Sequence, residues 1–152
     1  MATQSIAIPD AAVETTGYES LIVLIGRAFF ALIFLMAALG NFSAQTIQFA
    51  QSQGVPLAPL AVPASGVLAI LGGLSVLLGY RVKAGAWPLV LFLVPVTIMM
   101  HNFWAVTDPQ MRQMQMVNFM KNVSMLGGAL LLTQFGAGPW SLDSRRKRQA
   151  RG

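Results

Sequence analysis

The feature that most constrains this chain is a long stretch without charge. Between Arg27 and Arg81 the sequence contains no Asp, Glu, Lys or Arg. Of all 152 residues, 55% are hydrophobic and only 10% are charged, a composition more apolar than a soluble domain of this size can bury. The sequence therefore predicts an all-α membrane protein.

Apolar runs of the right length recur along the chain. A helix needs roughly 20 apolar residues to cross about 30 Å of hydrocarbon. Four runs meet this requirement and predict a four-transmembrane-helix bundle within residues 21–143. The remaining segments are predicted to be a flexible N-terminal tail, residues 1–20, and a basic cytoplasmic tail, residues 144–152. The four runs are residues 21–39, 62–80, 84–103 and 117–135.

Basic residues predict the orientation of the bundle. Arg81 and Lys83 lie between the second and third runs, and further basic residues follow Ser144, whereas the 40–61 connection has none. Basic loops favour the cytoplasmic side, so both termini are predicted to be cytoplasmic in a membrane that the chain crosses several times. The basic tail could also contact anionic lipid or nucleic acid. Beside a membrane helix we interpret it as a topology anchor, and no nucleic-acid partner is predicted.

Two connections carry local structural signals. Phe42, Ile47 and Phe49 alternate with Ser, Thr and Gln in the first connection, which predicts a short helix lying in the outer interface. The connection is either a plain structured loop or a lid over a site. Asp108 followed by Pro109 is typical of a helix start and predicts a helix that runs to about Phe135.

Two charged side chains fall within the predicted spans. A charge near the middle of a span costs about 2.5 to 3.5 kcal/mol on insertion scales and normally faces the protein interior or a wet cavity. Arg27 lies near the start of the first span, where it could reach the headgroups or be buried. Lys121 lies deeper in its run and is harder to explain by packing alone.

A polar level is predicted near the outer face. Asn118, Lys121 and Asn122 share one stripe of the fourth helix, and His101 and Asn102 end the third run at a similar depth. Ammonium, imidazole and amide groups suit the carbonyl oxygens of a quinone or an anion. The alternative is that these side chains bond one another and lock the helices together.

Composition also narrows the chemistry. The chain has no cysteine and one histidine, which excludes disulfides, thiol catalysis, cysteine-ligated iron–sulfur clusters and bis-histidine haem ligation within one chain. No metal site is predicted, because one histidine without cysteine cannot supply a usual zinc site. Any redox chemistry must come from a bound organic cofactor or a partner subunit.

Short motifs along the chain occur in the order seen in a known family. With its four apolar runs, the chain resembles the DoxX family from about Gly26 to Asp143. The motifs are Gly26-Arg27, Gly40, Gly72-Gly73, Gly79, His101-Asn102-Phe103-Trp104, Lys121-Asn122, Gly127-Gly128 and Gly138-Pro139-Trp140-Ser141-Leu142-Asp143.

The resemblance implies a small four-helix inner-membrane protein. Relatives include the DoxD-type subunit of thiosulfate:quinone oxidoreductase and a mycobacterial protein assembled with superoxide dismutase and a sulfurtransferase under oxidative stress. The residues that match the family's recurring polar positions are Arg27, His101, Asn102, Lys121 and Asn122.

The chain departs from the family pattern at two positions. Asn41 stands where many members have a lysine, and an apolar residue near Leu68 stands where many have an acidic one. Without that carboxylate, Arg27 lacks the counter-ion that the family pattern implies, which weakens a proton-coupled role.

The leading hypothesis is a subunit of a membrane oxidoreductase system that binds a quinone or a similar lipophilic small molecule. No intrinsic cofactor is predicted; the expected partners are membrane lipids and either another protein or further copies of the chain. The alternatives are a noncatalytic scaffold or assembly factor and, ranked last, a small-solute transporter. No nucleophile, metal set or nucleotide loop is visible, so any enzymatic role depends on a partner. The predicted ligand-binding residues are His101, Asn102, Lys121, Asn122, Arg27 and Asn118.

Overall fold

The computed structural model describes residues 17–150, and this part of the chain is helical. It contains no β-strand, which confirms the predicted all-α class for the described range. A 3-10 turn, Phe103–Ala105, separates the fifth and sixth helices. The α-helices are α1 (Gly17–Gly40), α2 (Ala44–Ser52), α3 (Ala58–Leu78), α4 (Val82–Gly85), α5 (Trp87–Met100), α6 (Pro109–Phe135) and α7 (Leu142–Gln149).

Three segments are long and apolar enough to cross a membrane. They are Gly17–Gly40, Ala58–Leu78 and Val82–Ala105, which correspond to the first three predicted spans. The helix α6 covers the fourth predicted run but is not among them, because polar side chains occupy much of its N-terminal half. A fourth span and the cytoplasmic orientation of the termini stay predictions.

The long helices pack in chain order. Helix α1 packs on α3, α3 also packs on α5, and α5 packs on α6. Phe34 of α1 is buried in the shared core, with its ring edge-on to Phe92 of α5 at 6.2 Å between centroids. Gly73 lets α1 approach α3, since a Cβ there would lie 2.8 Å from Leu35 Cδ2. Small residues at such contacts let helix backbones approach closely.

Two local predictions are confirmed. The first connection contains the short helix α2, whose N-cap Ser43 accepts a hydrogen bond from the Thr46 backbone N–H. Helix α6 begins at Pro109 after the N-cap Asp108, which accepts from the Met111 backbone N–H at 2.7 Å, and it ends at Phe135. The N-cap hydrogen bond of Asp108 lies within one turn, which is why sequence alone could predict the start of α6. Helix α2 was predicted from its mixture of apolar and polar residues.

The third predicted span is not one continuous helix. Helix α4 ends at Gly85 and α5 begins at Trp87, with Pro88 in its first turn. Proline fits a first turn because its missing N–H would have no partner there, and it disfavours helix in the residue before it. Helix α5 ends at Met100, and the 3-10 turn Phe103–Ala105 completes the membrane-crossing segment.

The predicted tail boundaries also need correction. Helix α1 begins at Gly17, so the last residues of the predicted flexible tail are helical, and Ser20 is buried. Residues 1–16 lie outside the described range. The basic tail is helical as α7, because Ser141 and Ser144 form a reciprocal capping box at its start.

A buried arginine anchors the loop that follows α6. Arg27 is 5% exposed; its Nη1 donates to Ala137 O at 2.7 Å and its Nη2 donates to Trp140 O at 3.1 Å. The buried alternative for Arg27 is therefore the observed one. Its hydrogen-bond acceptors are backbone carbonyls of a distant loop, in place of the carboxylate that the family pattern implies.

The first turn of α7 caps the start of α4. The Asp143 carboxylate accepts from the backbone N–H of Arg81 at 2.7 Å and of Val82 at 3.0 Å. Its own N–H donates to Gly79 O at 2.9 Å. Gly79 has a φ of +67°, and a Cβ there would lie 2.5 Å from Ser141 Cβ. The motif from Gly138 to Asp143 thus joins the C-terminal ends of α3 and α6 and orients α7.

Candidate functional site

A cavity of about 340 Å³ lies where α2, α3, α5 and α6 meet, near the end of α5. One side of its wall is apolar and includes Phe92, Pro95 and Val96. Two thioethers, from Met99 and Met100, extend this side. The polar groups in the wall are those of Asn41, Thr46, Ser65, His101, Gln115 and Asn118.

His101 is the central polar residue of this cavity. It directly follows α5 in a non-helical conformation with φ −126°. Its Nδ1 lies 2.8 Å from Gln115 Oε1. An amide oxygen only accepts, so Nδ1 carries the proton in this pairing, and in the neutral imidazole Nε2 keeps a lone pair. The side chain therefore offers the cavity a hydrogen-bond acceptor held in one tautomer by α6.

Asn118 supplies the complementary donor. Lys121 Nζ donates to Asn118 Oδ1 at 3.1 Å, from the next turn of α6. No residue in the 17–150 range accepts a hydrogen bond from Asn118 Nδ2, so that amide group is free to donate to a ligand. Lys121 itself is exposed and does not line the cavity. It acts on the cavity only by orienting Asn118.

On the side of the cavity formed by α3 and the end of α1, the wall carries the Asn41 amide and the Ser65 hydroxyl. Asn41 Nδ2 donates to Ser65 Oγ at 3.1 Å, and Ser65 Oγ donates to Val62 O at 2.7 Å. Asn41 is one of the two departures from the family pattern. Its short neutral side chain joins α3 to the end of α1 in place of a long cation.

Two predicted asparagines lie outside the cavity lining. Asn102 precedes the 3-10 turn and accepts from the Ala105 backbone N–H at 2.9 Å. Asn122 is 5% exposed, and its side chain forms no hydrogen bond with any other described residue. Asn122 lies one turn beyond Asn118 on α6.

Arg27 is distant from this polar level. Its partners follow the C-terminus of α6, whereas Gln115 lies in the N-terminal part of α6, about 30 Å away at 1.5 Å per residue. The structure thus brings together His101 and Asn118, attaches Lys121 through Asn118, and separates Arg27.

The predicted ligand-binding residues omitted four polar residues of the cavity wall, which are Asn41, Thr46, Ser65 and Gln115. Gln115 could have been found, because it precedes Asn118 by three residues and extends the same stripe. Asn41 and Ser65 carry no such signal, since only the packing of α3 against the first connection brings them to the cavity.

The fold and the cavity define a class: an all-helical integral membrane protein with a mainly apolar cavity that a few polar side chains line. Comparison with known proteins places it more narrowly. The family model described as DoxX matches residues 22–102, and the model described as SURF4 family matches residues 63–149. The chain belongs to the DoxX family.

Its relatives include two bacterial proteins of similar length. "Inner membrane protein YphA" of Escherichia coli strain K12 is 29% identical over 126 residues, 82% of this chain and 89% of the relative. "Inner membrane protein YqjF" of the same strain is 30% identical over 129 residues, 82% of this chain and 92% of the relative.

A eukaryotic relative matches a shorter region. "ER-derived vesicles protein ERV29" of Saccharomyces cerevisiae is 35% identical over 81 residues, 53% of this chain and 26% of the relative. No solved structure matches the chain significantly. The similarity thus extends beyond bacteria but covers only about a quarter of the yeast protein.

Proposed function

We propose that the His101 cavity binds the head group of a quinone or a similar lipophilic carbonyl compound. The observation that carries this proposal is the His101–Gln115 pair, which holds an acceptor of defined tautomer in a cavity whose other side is apolar. Ligand sites of this kind combine apolar walls with a few well-placed polar groups.

The chain's own side chains have matching roles. Asn118 Nδ2 donates to a carbonyl oxygen of the head group, and Lys121 keeps the amide turned for this by binding its oxygen. His101 Nε2 accepts from a hydroxyl when the compound is reduced, while Gln115 holds the ring. Phe92 and Val96 contact the apolar part of the ligand. Asn122 serves any polar group that enters one turn deeper.

The proposal includes the placement of the protein. Helix α6 serves as a fourth span, both termini face the cytoplasm, and the cavity opens near the outer face of a bacterial inner membrane. The names of the two bacterial relatives support this location. In this arrangement the protein is a membrane subunit that passes a reduced or oxidised small molecule to a partner oxidoreductase.

A noncatalytic scaffold is the second candidate. It is favoured by α7, a capped helix whose four consecutive basic side chains, Arg145 to Arg148, are exposed. In that case the tail docks a partner, and the polar groups near His101 only join α5 to α6.

Binding of a short-chain quinone analogue by the detergent-purified protein separates these candidates. We expect Gln115→Ala to weaken binding about tenfold, because losing one hydrogen-bond partner of about 1.4 kcal/mol frees the imidazole to rotate. His101→Ala should weaken binding at least as much. Gln113→Ala is the matched control, since this exposed glutamine on the same helix does not line the cavity.

Equal affinity for all three variants and the parent, with unchanged thermal unfolding, would refute the quinone proposal. Loss of a copurifying protein on truncation after Ser144, with no bound quinone in the parent, would favour the scaffold.

A further inference from the structure

A second cavity, of about 690 Å³, lies at the other end of the helices, beside the loop that follows α6. Among the charged residues that line it, one is acidic, Asp143, and four are basic: Arg81, Lys83, Arg146 and Lys147. Arg81 comes from the α3–α4 turn and Lys83 from α4, whereas α7 contributes Arg146 and Lys147. The cavity is therefore a place where cations from two distant segments converge.

The cations are positioned by specific contacts. The Tyr80 ring packs against both arginines, with its centroid 5.8 Å from Arg81 Cζ and 5.4 Å from Arg146 Cζ. The Asp143 carboxylate is engaged by two backbone N–H groups at the start of α4, where it acts as a cap. The Asp143 carboxylate is thus hydrogen-bonded to the backbone. The four basic side chains around it give the cavity a net positive charge that suits an anion.

An apolar groove continues from this cavity. It has a volume of about 430 Å³, lies between α1 and α6, and shares Phe135, Gly136, Ala137 and Gly138 with the basic cavity. Further along, the groove is lined by side chains such as Val23, Phe30, Leu131 and Leu132. The groove exists because α1 packs on α3 and α6 packs on α5, so α1 and α6 meet mainly through side chains such as Phe30 over Gly128.

We propose that this composite site binds one anionic glycerophospholipid, with its phosphate among the four basic side chains and an acyl chain in the α1–α6 groove. Basic pockets beside membrane helices bind acidic lipid head groups. A free phosphate would use the cavity alone. The continuous groove is what selects a lipid, and this site is independent of the His101 cavity.

The head-group part is tested by native mass spectrometry of the detergent-purified chain with added phosphatidylglycerol or phosphatidylcholine of the same acyl chains. The parent should retain phosphatidylglycerol preferentially. Arg146→Gln with Lys147→Gln should reduce that retention about thirtyfold, at roughly 1 kcal/mol for each basic residue and about 1.4 kcal/mol for each factor of ten. Arg145→Gln with Arg148→Gln is the matched control: it removes the same charge from the same helix but does not alter the cavity lining.

The acyl-chain part is tested by filling the groove. Gly26 and Gly127 are both helical glycines with open space beyond them, but only Gly26 lines the groove. Gly26→Leu should abolish the preference for phosphatidylglycerol, and Gly127→Leu should preserve it. Because Gly26 adjoins Arg27, Gly26→Leu could also disturb folding, so a second pair of variants tests the groove away from Arg27. Leu131→Trp fills the groove, and Leu130→Trp on the same helix does not.

Three results would overturn the proposal. One is a parent protein that retains both lipids equally, and another is the same loss in both double-charge variants. The third is full retention in both groove-filling variants together with displacement of the lipid by inorganic phosphate, which would assign the cavity to a free anion.

Discussion

Replacement of Arg27 by alanine is expected to lower the free energy of unfolding by about 3 kcal/mol. Two hydrogen bonds from a charged donor are lost, at about 1.5 to 3 kcal/mol each. Removal of a buried charge offsets part of this loss. The carbonyls of Ala137 and Trp140, 110 and 113 residues away in sequence, would lose their donor. We also expect hydrogen exchange to rise in residues 136–144, because Arg27 is what holds this loop against α1.

Thermal unfolding in detergent measures the first effect, and amide exchange followed by mass spectrometry measures the second. Arg112→Ala is the control, since Arg112 is an exposed arginine near the start of α6. An Arg27→Ala protein as stable as the Arg112→Ala protein, with unchanged exchange in the loop, would show that the guanidinium reaches the membrane surface instead. Arg27→Lys should recover only part of the loss, because an ammonium lacks the planar fork that serves two carbonyls.

Gly85→Ala is expected to destabilise the fold by about 3 kcal/mol, at the upper end of the cost of overpacking a tight core. A Cβ at Gly85 would overlap the Oγ and Cβ of Ser75, so α4 would have to move away from α3. Ser75 has little freedom to turn aside, since its Oγ donates to Tyr80 O at 2.6 Å across the α3–α4 turn.

A double variant distinguishes this clash from a general effect of alanine. Ser75→Gly with Gly85→Ala exchanges the small residue between the helices, so it should unfold at a higher temperature than Gly85→Ala alone. Gly127→Ala is the control: its Cβ would meet nothing within 4 Å, and it should stabilise α6 by up to about 1 kcal/mol through helix propensity. A double variant less stable than Gly85→Ala would disprove the contact.

Elements governed by short-range chemistry were predictable from the sequence. The apolar runs predicted four spans, and the first three correspond to membrane-crossing segments of the structure. Asp108 and Pro109 predicted the start of α6, and the mixed connection after residue 40 predicted α2. Pro88 was compatible with a helix start, and α5 begins at Trp87 with Pro88 in its first turn.

The candidate site was predictable only in part. The polar stripe on α6 identified Asn118, and a lone histidine at the end of an apolar run identified His101. The same stripe did not show that Lys121 would face outward, since a three- or four-residue spacing specifies one face of a helix but not which neighbour covers it. Gln115, Asn41 and Ser65 join the cavity through contacts between segments far apart in the chain.

Composition and periodicity alone therefore determined that this chain is an all-α membrane protein with polar groups near the end of its third apolar run. These properties follow from burial of apolar surface and from hydrogen bonds within one turn, both of which are local in sequence. The partner of each polar side chain required the folded structure. Three contacts depend on how the helices pack: Arg27 with the loop after α6, Asp143 with the start of α4, and His101 with Gln115. No local pattern specifies which distant carbonyl or amide will lie within 3 Å of a given side chain.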